Sequence, residues 1–192
     1  KRQAPMRRRE ASIELSSIDL GVDRHAFSAK LLSGSVAAKV AKLGARESFG
    51  VASHTAVCSV RGTEFVVAIA PDGSTRLAVN KGSVAVLPPA LEPSSLGESA
   101  AADAIYDAIL DAAPAIKAGE EATYEQKDLE ASSKAWAKAL PKIEALIKKE
   151  GDKADSSELL ASSALQKELN PFLAAEAPLA AEAQKAGSDS VK

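Results

Sequence analysis

The stretch Thr55-Ala56-Val57-Cys58-Ser59-Val60-Arg61-Gly62-Thr63-Glu64-Phe65-Val66-Val67-Ala68-Ile69 decides how the chain is built. Its β-branched residues and short apolar period suit a pleated, half-buried surface better than a helix. On a strand, Ala56, Cys58 and Val60 share one face. Phe65, Val67 and Ile69 have the opposite parity, so a one-residue bulge at Gly62 is expected to keep both sets in one core. Arg61 and Glu64 flank that glycine, and a bulge would bring them close enough to pair or to bond loose backbone groups. Arg61, Gly62, Thr63 and Glu64 are therefore the candidate structural or interaction motif.

Working outward, the same pattern predicts strands over Ser12–Leu15, Ala29–Leu32, Ser35–Leu43, Glu47–Val51, Thr55–Arg61, Thr63–Ile69, Thr75–Val79 and Ser83–Leu87. The turns between them carry Gly44, Asp72-Gly73 and Asn80-Lys81-Gly82, residues tolerant of positive φ. Closely spaced strands imply hairpins and an all-β body. A weak repeat supports this: Leu32-Ser33-Gly34-Ser35-Val36 resembles Asn80-Lys81-Gly82-Ser83-Val84, which suggests similar turns at equivalent places in two sheet layers.

The composition changes near Gly97. Residues 1–97 hold 13 Lys+Arg against 8 Asp+Glu, and residues 98–192 hold 11 against 18; all eight arginines precede the break. Pro88, Pro89 and Pro93 make the junction an expected extended linker. Beyond it the period becomes helical. Ile105, Ile109, Ala113 and Ile116 form one stripe, leaving Asp103, Asp107 and Asp111 to water. Leu129, Trp136, Leu140, Ile143 and Ile147 form a second stripe, interrupted at Pro141 by an expected kink or break. Asp155-Ser156-Ser157-Glu158 offers caps for a third helix closed by Asn170-Pro171, and an alanine-rich piece follows over Phe172–Ala186. Trp136 and the stripes are expected to pack among themselves or on the β part. The fold class is thus α+β as two segregated parts: a β domain over 12–88, then a helical bundle over 98–186. A basic arm, 1–11, and a polar tail, 187–192, are expected to be disordered.

Several function classes are excluded or weakened at this level. No run approaches the roughly 20 apolar residues of a membrane span. One cysteine, Cys58, cannot make an intrachain disulfide, and with His25 and His54 it supplies few soft metal ligands. Cys58 reads as a small buried hydrophobe, because His54 would lie about 13 Å away along a strand. His25 reads as part of a solvated turn. There is no phosphate-binding glycine loop, zinc-protease helix or nucleophile elbow. No catalytic residue, cofactor or metal is assigned. The basic arm lacks interleaved aromatics, so no nucleic acid is expected as partner.

Ser48–Val67, followed by Asp72–Val86, closely resembles the FecR domain family; the core of the likeness is Val60-Arg61-Gly62-Thr63-Glu64-Phe65 and then Val79-Asn80-Lys81-Gly82-Ser83-Val84. The resemblance covers about residues 28–88. It implies an all-β, sandwich-like or solenoid-like domain of bacterial extracytoplasmic proteins. In the family's iron-uptake regulators that domain sits in the periplasm and passes a signal from an outer-membrane transporter to a sigma factor. The resulting expectation is a non-enzymatic periplasmic interaction or scaffold protein that binds another extracytoplasmic protein. The alternatives are a signal-relay regulator fragment of the iron-uptake type and a module binding cell-wall polysaccharide such as peptidoglycan. A start at Lys1 without methionine suggests a fragment or processed form.

Overall fold

A computed structural model describes residues 11–21, 24–44, 47–92, 95–97, 99–150 and 156–189. The basic arm therefore lies outside the described residues except for Ala11, as does the expected capping residue Asp155. Gly187, Ser188 and Asp189 of the expected tail close the last helix.

Eight strands precede the composition break: β1 (Ser12–Gly21), β2 (Arg24–Ser33), β3 (Ser35–Lys39), β4 (Glu47–Ala52), β5 (Val57–Val60), β6 (Glu64–Ile69), β7 (Thr75–Lys81) and β8 (Ser83–Leu87). After it come α1 (Ala100–Ala112), β9 (Ala115–Lys117), β10 (Glu121–Tyr124), α2 (Glu130–Glu150), α3 (Ser156–Ala161) and α4 (Ser163–Asp189). The strands form two sheets, a six-stranded one ordered β1-β2-β4-β5-β8-β9 and a four-stranded one ordered β10-β7-β6-β3. Every pairing is antiparallel except β2 with β4.

Period-two alternation places the larger sheet between two cores. Val51, Cys58, Val60, Val84 and Val86 face the smaller sheet, where they meet Phe65, Val67, Leu77 and Val79. Their neighbours Ala52, Val57, Ala85 and Leu87 face the other way, into a second core with Ile105, Tyr106, Ile109 and Trp136 of the helices. The order is thus sheet, sheet, helices. Both sheets accept a strand from beyond the junction: β9 pairs with β8, and β10 pairs with β7.

Three expectations are corrected here. The α1 stripe stops before Ile116, because Pro114 forces Ala113 into extended backbone (φ −67, ψ 149) and ends the helix. Ile116 instead becomes the buried centre of β9. The proline-rich junction is not a free linker, since Leu91 and Leu96 are buried in the helix-side core. Finally, α2 runs unbroken through Pro141, and α4 runs through Pro171 and Pro178. All three prolines lie on exposed faces, where water can take the carbonyl left without a donor.

Candidate functional site

Gly62 is not a bulge within one ribbon. It is the corner where the chain leaves β5 in the larger sheet and enters β6 in the smaller one. Because the two sheets face each other, residues of opposite parity on either side of the corner meet in one core. The register irregularity lies a little further on, between Glu64 and Phe65. The repeated glycines are corners as well: Gly34 carries the chain from the larger to the smaller sheet, and Gly82 carries it back. Their φ angles are 80° and 82°, so the expected equivalence of these turns holds at the backbone.

At the Gly62 corner three backbone segments touch. Gly62 has φ 131°, and a Cβ there would stand 2.8 Å from Lys42 Cα. A Cβ on Gly82 would stand 2.7 Å from the Gly62 carbonyl oxygen. Only glycine fits such contacts. Hydrogen bonds lock the crossing: Val40 N–H donates to Thr63 O (2.9 Å), Leu43 N–H to Arg61 O (3.1 Å), and the Thr63 hydroxyl to Ser83 O (2.7 Å).

The motif's charges do not pair with each other. Arg61 reaches α1, where Nη2 meets Asp107 Oδ1 at 2.8 Å and donates to the Asp107 carbonyl at 3.1 Å, while Nη1 donates to Asp111 Oδ1 at 3.0 Å. Two of the aspartates expected to face water thus anchor the corner to the helix. Burial holds the Asp107 carboxyl above the usual aspartate range, although Arg61 pulls the other way. Glu64 pairs instead with Lys39, at 3.6 Å across β3 and β6.

A groove of about 520 Å³ opens beside the crossing. Its floor is Val40, Ala41, Gly62 and Thr63, and its charged rim is Lys39, Lys42, Lys81 and Glu64, a local excess of two positive charges. Sequence reading missed the lysines because topology alone gathers them from β3, the segment after it, and β7. The only local signal was Lys81 beside the repeated Gly82.

The remaining expected residues lie elsewhere. Cys58 is fully buried, and burial pushes its thiol up to about 12. His54 borders a separate polar depression with Asp72 and Ser74. His25 is not in a turn: it lies on β2 and its Nδ1 is 3.1 Å from Glu47 Oε1. The Gly44 N–H, and then His25, hold the Glu47 carboxyl below its usual range. Among the described residues no cluster of three or more His, Cys, Asp or Glu could hold a metal ion, and no helix is long and apolar enough to cross a membrane.

Two facing sheets joined by glycine corners and backed by helices define a β-sandwich with a helical layer. Residues 10–85, from just before β1 into β8, match the family model described as FecR protein. Two crystal structures from Parabacteroides distasonis ATCC 8503, each described as "a putative anti-sigma factor", are similar to the chain. One is 17% identical, with 67% of this chain and 53% of that one covered and a TM-score of 0.40; the other is 15% identical, with 68% and 60% covered and a TM-score of 0.39. The chain therefore spans about half to three fifths of their length. A search of curated proteins found no match.

Proposed function

We propose that the chain is a non-enzymatic, extracytoplasmic protein-binding module of the signal-relay kind, and that it receives an acidic segment of a partner protein in the groove at the Gly62 corner. The observation that carries this reading is the match of residues 10–85 to the FecR family model. The geometry supplies a place for it. The groove floor is backbone held by interlocking hydrogen bonds, so little order has to be created on binding. The exposed Lys39, Lys42 and Lys81 heads steer and orient an acidic chain. Directly beneath, Arg61 ties the same corner to α1, so a displacement at the groove bears on the helical layer.

A photo-crosslinking residue at position 42, in cells, tests this. The expected result is a discrete adduct with one protein, lost when Lys39 and Lys81 of the crosslinking protein are reversed to Glu without change in circular dichroism. A sigma-dependent reporter whose output changes with the same reversal supports relay; a constant output with the adduct lost supports scaffolding alone. Retention on purified peptidoglycan with no protein adduct overturns the proposal in favour of wall binding.

A further inference from the structure

The α2–α4 contact is an antiparallel seam with one polar layer. On α2 and the residue before it, Leu129, Ser132, Trp136, Ala139 and Ile143 are buried at spacings of three and four. On α4, Leu165, Leu169, Phe172, Glu176 and Leu179 follow the same rhythm. The chains run in opposite directions, because Trp136 packs on Phe172 with ring centroids 5.1 Å apart while Lys142 pairs with Glu168 at 2.7 Å. One turn from the aromatic layer, Ser132 and Glu176 occupy positions that the rhythm reserves for apolar side chains.

Glu176 is completely buried, and among the described residues neither of its oxygens has a hydrogen-bond partner. Ser132 faces it, but the serine hydroxyl donates to Leu129 O at 3.1 Å. Among the same described residues, Tyr124 Oη on β10 and Trp136 Nε1 are also buried without partners. A buried carboxylate without a cation is expensive, whereas the protonated acid is far less so. Burial accordingly pushes Glu176 up to about 7, with Ser132 opposing it. The described residues of the surrounding elements offer no relief. From β10 the titratable neighbour is Tyr124, itself held well above the usual phenol range first by burial and then by Cys58 of β5, Glu176, Asp128 and Glu120. Lys117 on β9 and Glu158 on α3 are exposed, and neither acts on Glu176.

We propose that the polar layer of Ser132, Glu176 and Tyr124 makes α4 a proton-controlled strap, docked on α2 and β10 while Glu176 is neutral and loosened when it ionises. The sign follows from linkage. An acid raised in the folded state stabilises fully below its unfolded value, and that contribution is lost as pH rises toward the folded value. Loosening α4 uncovers Trp136, Leu129 and Tyr124, a face otherwise closed.

The chain's one tryptophan is the reporter. Acrylamide quenching of the full chain is expected to rise several-fold between pH 6 and pH 8, with protection of α4 amides falling in parallel and that of β5 and β8 amides retained. Glu176→Gln should hold the low-pH value throughout, and Glu176→Leu provides the same test should the amide perturb packing. Ser132→Ala should move the midpoint upward, since it removes a facing hydroxyl that can turn from Leu129 O toward the carboxylate and favour its charged form. A wild type flat over this range, or a Glu176→Gln variant retaining the full pH response, overturns the proposal.

Discussion

At the residue scale the decisive position is Gly62, whose side chain is absent for two separate reasons. Its φ of 131° lies where L residues are strained, and the Lys42 backbone occupies the space a Cβ needs. The obstacle is backbone, so it cannot swing aside as a flexible side-chain end would. Gly62→Ala should therefore lower stability by about 2–3 kcal/mol, at the upper end of what one strained residue costs. Urea unfolding followed by circular dichroism measures it, and a loss within about 0.5 kcal/mol, the range of an ordinary surface substitution, would show that the crossing is not tight. The sequence marked this glycine as structural through the parity change on either side. It could not distinguish a bulge from a corner, because both restore a common core. That choice depends on whether β5 and β6 pair with each other, and they do not: β5 pairs with β4 and β8, β6 with β3 and β7.

At the element scale the informative contact is Arg61 with α1. The helix is held by its apolar face and by its Ser99 cap, whose hydroxyl accepts from Ala102 N–H at 3.1 Å. Arg61 adds a second kind of attachment, bridging the carboxylates of Asp107 and Asp111, one turn apart, and the Asp107 carbonyl. Arg61→Met keeps the aliphatic stem but leaves a half-buried Asp107 without its cation, so α1 should open more readily, by about 1–2 kcal/mol. Hydrogen exchange of the α1 amides is the measure; unchanged protection there would mean the ion pairs are ornaments of the surface. Strand positions were legible because alternation and glycine turns are local signals, and each of the eight expected strands overlaps an observed one. The elements missed, β9 and β10, are three and four residues long. Segments that short carry too little periodicity to be read, and they become strands only because β8 and β7 offer free edges beside them. A helix end at Pro171 and a break at Pro141 were overread for a related reason: a proline's cost depends on whether its face meets water, which is a tertiary fact.

At the scale of the whole molecule the question is whether the composition break at Gly97 is also a folding boundary. Secondary structure changes character there, yet the packing does not separate. Without the residues beyond the break, β8 loses β9 and β7 loses β10, leaving an unpaired edge on each sheet. The larger sheet also loses the cover of Ile105, Tyr106, Ile109 and Trp136 over Val57, Ala85 and Leu87. Even the buried hydroxyl of Ser59 would lose its partner, Tyr106 Oη at 2.6 Å. Each loss exposes groups that burial or pairing had satisfied, and together they reach both cores. A chain ending at Gly97 should therefore be aggregation-prone and lack a cooperative urea transition, while the full chain unfolds in one step seen alike by Trp136 fluorescence and by far-ultraviolet dichroism. Amide dispersion in a nitrogen–proton correlation spectrum separates the cases directly. A well-dispersed spectrum with a sharp transition for the short chain would establish two autonomous domains, with β9 and β10 as late additions to a sandwich that stands without them.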